Sequence, residues 1–410
     1  MTVCAVDTVP GDGGRAACTG FTIAADGSYA ARLAAAGDGG GWIPERWTLD
    51  GPEPYAVPLP GLRPEGPGTQ VLPLPDGRVL ICRGTADRYH LALLYPTGPC
   101  TGELPLGSVE CERLTLLPSA PGGLSAYALS PGRPGTDTTA VWLVHGGSYG
   151  PELVAEVPGR CSGGTWLDRQ GRLLALDRTD AAGRTKAVAV DLERGEVSPL
   201  LQITDDSDDR LLLADPDSGL LLVRSDAPGE PRLGWGVLGS HRPVRFPDAL
   251  RPQGVALTPF AIQPGQALVP EGCAVALRVD GPNGTWVAVW RPVQRRLQHL
   301  AAPQGWLRGA GLWTAEGELR LPYATGHAPC GLARITVPCP EPEPLPRPRR
   351  EPAAETVPGT AAGGVAGAGP APAGPAPAEP FTPFTARSAA RTPVPLQQAP
   401  LGRAAAERRS

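Results

Sequence analysis

Lysine is almost missing from this chain: among 410 residues only Lys186 is one, so nearly all positive charge is arginine. Arginine, alanine, glycine and proline share GC-rich codons, so base composition accounts for this bias without a nucleic-acid role. The net charge of −4 agrees, because phosphate backbones are bound by a basic field that this chain lacks. No apolar run approaches the roughly 18 residues of a membrane span, so none is expected. The start, Met-Thr-Val-Cys-Ala-Val-Asp, has neither a basic n-region nor a long apolar h-region, and no secretory signal is visible. No phosphate-cradling G-x-x-x-x-G-K-S/T run occurs, and Gly37-Asp38-Gly39-Gly40-Gly41 is expected to be a surface loop.

The chain is instead rich in turn formers, with 54 glycines and 51 prolines. Seven glycine-marked turns recur at Gly27, Gly77, Gly123, Gly171, Gly219, Gly272 and Gly317. Their spacing of roughly 45 to 53 residues is the length of one four-stranded propeller blade. The clearest repeat runs from Gly164 to Leu201: Thr165-Trp166-Leu167, a turn at Asp168-Arg169-Gln170-Gly171, Arg172 to Leu176, Lys186 to Asp191, then Val197 to Leu201. Short apolar runs between Gly and Asp signals predict hairpins, not helices. The expectation is an all-β, seven-bladed propeller over residues 1–339.

The last repeat, from Gly305 to Val337, has room for three strands, while Val3-Cys4-Ala5-Val6 is left over ahead of the first. This N-terminal strand is expected to complete the last blade and close the ring. Composition changes after Cys339. Residues 340–410 form a Pro/Ala/Gly-rich tail that buries too little apolar surface to offset its ordering entropy, and disorder is expected there.

Several motifs invite a chemical reading. Gly146-Gly147-Ser148-Tyr149-Gly150 satisfies G-x-S-x-G, the turn that exposes a nucleophilic serine. It follows a strand, but Pro151 and the short stretch to Val157 make a poor elbow helix. A turn between the third and fourth strands of blade three is expected instead. Asp205-Asp206-Ser207-Asp208-Asp209 has the carboxylate density of a calcium site without the EF-hand spacing, and reads as a solvated connection between blades. The nine cysteines show no zinc spacing, and free, mostly buried thiols in a reducing cytoplasm are expected. Trp166, Trp306 and Trp313, near first strands, are expected to pack between blades.

The Ala-Asp-Gly turn at 25–27, the Leu-Pro-Asp-Gly turn at 74–77 and Asp-Arg-Gln-Gly-Arg at 168–172 resemble blade turns of TolB-type propellers and of the N-terminal propellers of prolyl-oligopeptidase-family serine peptidases. In that peptidase family the propeller filters access of peptides to an α/β-hydrolase domain carrying a Ser-Asp-His triad. Here only the low-complexity tail follows, so none of the triad residues carries over. The resemblance implies a non-catalytic scaffold that binds a peptide or protein; with the charge, hydropathy and motifs above, no cofactor, metal, nucleic-acid or membrane partner is expected. The alternative is a truncated or split prolyl-oligopeptidase-like serine peptidase that needs a separate hydrolase chain. No catalytic residue is assigned.

Overall fold

The computed structural model describes residues 19–36, 41–265, 269–307 and 309–337. Val3–Val6, the 37–40 stretch and residues 340–410 lie outside the described residues, as does the expected boundary at residue 339.

Seven antiparallel sheets follow one another along the chain. Blade 1 comprises β1 (Thr19–Ile23), β2 (Tyr29–Ala35), β3 (Trp42–Thr48) and β4 (Tyr55–Pro58). Blade 2 comprises β5 (Gln70–Pro73), β6 (Val79–Gly84), β7 (Arg88–Pro96) and β8 (Thr101–Glu110). Blade 3 comprises β9 (Thr115–Leu116), β10 (Ala126–Pro131), β11 (Thr138–His145) and β12 (Glu152–Pro158). Blade 4 comprises β13 (Arg160–Trp166), β14 (Leu173–Thr179), β15 (Thr185–Asp191) and β16 (Glu196–Leu201). Blade 5 has three strands, β17 (Asp209–Ala214), β18 (Leu220–Ser225) and β19 (Arg232–Val237). Blade 6 comprises β20 (Ala256–Ile262), β21 (Val275–Gly281), β22 (Gly284–Trp290) and β23 (Gln298–Leu300). Blade 7 comprises β24 (Leu312–Trp313), β25 (Glu318–Tyr323) and β26 (Gly331–Thr336).

The recurring glycine has a mechanical reason. Gly27, Gly77, Gly123, Gly171, Gly219 and Gly317 all take positive φ between the first and second strands of their blades. Upstream aspartates fix the turns at Gly27, Gly77 and Gly171. Asp26 accepts from the Ser28 amide at 3.1 Å, Asp76 from Arg78 at 3.0 Å and Asp168 from Arg172 at 2.9 Å. Gly272 breaks the series and corrects the seven-turn reading. It ends a 3-10 turn, Pro270–Gly272, in the long connection from β20 to β21, and its φ is not positive.

The middle strands carry the near-continuous apolar runs because both of their faces are covered. Alternate residues feed opposite inter-blade cores. Leu221 and Val223 of β18 pack between blades 4 and 5, and Leu220 and Leu222 between blades 5 and 6. Ala274 and Ala276 face blade 7, whereas Val275 and Leu277 face blade 5. Trp166, Trp306 and Trp313 are buried in such cores, as expected. The ring closes among the described residues where Ala30, Trp47 and Leu49 of blade 1 meet Leu307 and Ala310 ahead of β24. Arg334 spans the same seam, donating to the Gly51 carbonyl at 3.0 Å.

Blade 5 departs from the four-strand plan for a local reason. Its fourth-strand position is taken by Arg242–Phe246, which pairs with β19 through one bridge, Trp235 to Arg245. Pro243 and Pro247 flank that bridge, and proline has no N–H to give a ladder.

Candidate functional site

Neighbouring blades are joined by side chains that reach the next blade's backbone, from the first strands of blades 1 and 2 and from the third strand, β11, of blade 3. Thr22 Oγ1 of β1 donates to the Val71 carbonyl at 3.1 Å. Gln70 of β5 makes a two-way clasp on blade 3, its Nε2 donating to the Leu114 carbonyl at 2.7 Å and its Oε1 accepting from the Leu116 amide at 2.8 Å. Thr139 Oγ1 accepts from the Cys161 amide at 2.8 Å and donates to the Gly159 carbonyl at 2.9 Å.

A cavity of about 360 Å³ opens beside the first two of these clasps, on the inner strands of blades 1, 2 and 3. Gly20, Thr22 and Ile23 form one wall, Thr69, Gln70, Val71 and Leu72 the second, and Leu116, Leu117, Pro118 and Ser119 the third. No lining side chain is charged. Apolar surface dominates, with hydroxyl and amide groups at the strand edges. Such a lining suits an uncharged ligand with backbone-like donors and acceptors.

The acidic run is an exposed connection between blades 4 and 5 at Asp205, Asp206 and Asp208, as expected, but the solvated reading is corrected at its last residue. Asp209 is fully buried at the start of β17. Its carboxylate accepts from Lys186 Nζ at 2.8 Å, the Ile203 amide at 2.9 Å, Ser207 Oγ at 2.9 Å and Ser225 Oγ at 2.6 Å. Lys186 Nζ also donates to the Thr204 and Ser207 carbonyls, each at 2.5 Å. The sole lysine thus occupies an oxygen cage of the kind that holds a cation, and its ammonium is the cation. The other carboxylates diverge: Asp206 pairs with Arg184, and Asp208 accepts from the Thr185 amide at 2.7 Å. Among the described residues no group of three or more His, Cys, Asp or Glu side chains is arranged to hold a metal.

Nearby, Asp177 of β14 lies under the irregular stretch Ser162–Thr165 of β13. It accepts from the Leu211 amide of blade 5 at 3.1 Å, with Arg210 at 3.7 Å. Burial pushes its carboxyl up to about 6, and the Leu211 amide and Arg210 offset only part of that.

Ser148 sits on the exposed β11–β12 turn, as expected. The Glu152 carboxylate already accepts from the Ser148 amide at 3.1 Å and from the Tyr149 amide at 3.4 Å. Those are the backbone donors an oxyanion would need. The chain continues into a strand, with no helix N-terminus beside the serine. His145 lies near Asp76 and Arg78 of the blade 2 turn. Burial, and then Arg78, hold its imidazole below the usual range. His299 accepts from Trp286 Nε1 at 2.8 Å on β22.

Six described cysteines are free, and "mostly buried" is corrected among them: Cys82 and Cys273 are buried, Cys111, Cys161 and Cys330 partly so, and Cys100 is exposed. Burial pushes the Cys82 thiol up to about 12 and those of Cys161 and Cys330 to about 11, far from thiolate reactivity.

Sequence reasoning missed the Gln70 clasp, the cavity and the Lys186 cage. Only the cage left a signal: the one lysine in an arginine-rich chain stands one hairpin away from the densest acidic run.

The sheets, their glycine turns and the inter-blade cores define the class: a seven-bladed β-propeller. No protein-family model matches the chain, and no curated protein matches it. Solved structures do. The β-propeller domain of the Trilobed protease from Pyrococcus furiosus is 11% identical, with a TM-score of 0.50, over 77% of this chain and 92% of that one. The Pyrococcus horikoshii acylaminoacyl peptidase is 11% identical, with a TM-score of 0.48; the match covers 78% of this chain but only 51% of that longer one. TolB from Acinetobacter baumannii is 12% identical, with a TM-score of 0.39, over 74% of this chain and 78% of that one. The first of these likenesses shows a shared fold. No described helix is long and apolar enough to cross a membrane.

Proposed function

We propose that this propeller is a non-catalytic scaffold that binds an extended segment of a peptide or protein in the cavity on the inner strands of blades 1–3. One observation carries the reading: the cavity is lined without charge, by apolar side chains and by the neutral polar groups of Thr22, Thr69, Gln70 and Ser119. An extended chain offers that lining alternating amides and carbonyls with small apolar side chains between them. Nothing in the lining is a nucleophile paired with a base.

The test is peptide display against the full chain, with counter-selection on Ser119→Arg, whose longer side chain fills the cavity. Recovered peptides should bind the wild type in fluorescence anisotropy and lose at least about tenfold in affinity on the variant. Equal affinity for both proteins would place binding elsewhere and sink the proposal.

A further inference from the structure

A second cavity, of about 230 Å³, lies at the outer edge of blade 5 where the fourth strand is reduced to one bridge. Its walls come from β19 (Trp235 to Val237), from the returning segment Ser240–Arg245, and from Pro270 and Glu271 in the connection ahead of β21. Unlike the inner cavity, this one is cationic.

Two guanidinium groups in this region, those of Arg245 and Arg291, have no carboxylate partner among the described residues, and Arg242 has one at the limit of an ion pair. The Arg245 guanidinium lies over the Trp235 ring, 5.1 Å from its centroid, and makes no ion pair. Stacking orients it while leaving its N–H edge free. The one acid near Arg242 is Glu271, at 4.0 Å, with both side chains substantially exposed. Arg291 is only 3% exposed, and its Nε and one terminal nitrogen have no hydrogen-bond partner. It is tied to the same region, because the Val293 amide two residues on donates to the Glu271 carbonyl at 3.1 Å. Trp290 packs edge-on against Trp235 at 6.4 Å, and its Nε1 is likewise buried without an acceptor. Arg291 and Trp290 lie behind the walls rather than in them; the cavity itself is lined by the guanidinium groups of Arg242 and Arg245 against the single carboxylate of Glu271, on a protein whose net charge is −4.

We infer that this cavity is a binding site for a carboxylate attached to a small apolar group. A carboxylate presents two oxygens to an arginine fork, and Trp235, Pro243 and Pro270 supply an apolar wall for the adjoining group. The volume is below the roughly 300 Å³ at which drug-sized pockets begin, so the ligand is about one residue in size. A free small acid and the C-terminal residue of a chain share this chemistry. The site does not depend on the inner cavity, and either can fail without the other.

Calorimetric titration of the full chain tests the inference with four probes: N-acetyl-L-leucine, its amide, inorganic phosphate, and an N-acetylated tetrapeptide ending in a free leucine. The acid should bind with a dissociation constant on the order of 1 mM, and the amide at least about tenfold more weakly. Arg245→Gln should lose about tenfold for the acid and Arg242→Gln less, with thermal melting unchanged because both side chains are on the surface. Tighter binding of the tetrapeptide than of the acid identifies a chain terminus, and equal binding a free small acid. The inference is overturned if amide and acid bind alike, if phosphate binds better than the acid, if no heat appears by about 30 mM acid, or if Arg245→Gln leaves the affinity unchanged.

Discussion

Blades 4 and 5 meet through buried charge. The Lys186 ammonium contacts Asp209 at 2.8 Å inside a cage of carbonyls and hydroxyls, and Asp177 reaches across to the Leu211 amide. At the hollow on their inner strands, blades 1, 2 and 3 meet instead through neutral side chains that clasp neighbouring backbones and leave about 360 Å³ open beside them. Both arrangements satisfy inter-blade polar groups. They differ in what happens when a partner is lost. A buried ion stripped of its counter-ion has nowhere to go, whereas a neutral group beside an open cavity can turn to water. The charged junction is therefore suited to hold the ring, and the neutral one to exchange water for a ligand.

The largest expected effect is at the cage. Lys186→Met keeps the length of the side chain and removes its charge, leaving the Asp209 carboxylate buried without a cation. The expected loss is about 3–5 kcal/mol, read from urea unfolding midpoints. A loss under about 1 kcal/mol would mean that the two serine hydroxyls and the Ile203 amide suffice, and the contrast between the junctions would collapse.

Next is a pH effect at the same junction. The carboxyl of Asp177 sits at about 6 in the fold, against 3.8 when unperturbed. The folded state keeps its proton where the unfolded chain has lost it, so this residue makes stability fall as pH rises from about 4 to 6, and level off above. Asp177→Asn stays neutral and keeps an oxygen for the Leu211 amide. Relative to wild type, the variant should gain up to about 3 kcal/mol between pH 4 and pH 8. An offset between the two proteins that is the same at both pH values would show that burial does not govern this carboxyl.

These two junctions also mark how far the sequence could be read. The blade repeat was legible because a turn between twisted strands needs positive φ, and glycine with an upstream aspartate supplies it in contiguous letters, as at Asp76-Gly77 and Asp26-Gly27. Where the connection is long, the same letter misleads: Gly272 falls at the right interval but ends a 3-10 turn. The short edge of blade 5 is written in Pro243 and Pro247, but it carries no apolar run of the kind that marks the middle strands. The serine motif matched in letters and failed in context, because Glu152 occupies the amides that the motif would need. The cavity left no mark at all. Its walls are residues from three blades, more than 90 positions apart in the chain between Thr22 and Ser119, and no local pattern records their approach.

On the neutral side the expected losses are smaller. Gln70→Leu retains the shape of the side chain and removes both bonds of the clasp, to the Leu114 carbonyl and the Leu116 amide. The cost should be about 1–3 kcal/mol, toward the low end because the adjoining cavity admits water to the freed groups. A loss as large as that of Lys186→Met would show that the neutral junction holds the ring as firmly as the charged one.

The smallest effect on stability is expected from Ser119→Arg. The Ser119 hydroxyl donates to the Pro73 carbonyl at 3.3 Å, a long bond on a partly buried residue, so little is lost with it. The new side chain enters space that is already open, and its guanidinium can reach solvent or the carbonyls along the cavity edge. Burial of the charge is thereby avoided, and the change in stability should stay within about 0.5 kcal/mol. The substitution thus separates filling the cavity from damaging the fold, which no change at the charged junction can do. Thermal melting of the variant is the check. A fall of more than about 5 °C would mean that the hollow is a packed part of the core, and that blades 1–3 have no room to spare for a ligand.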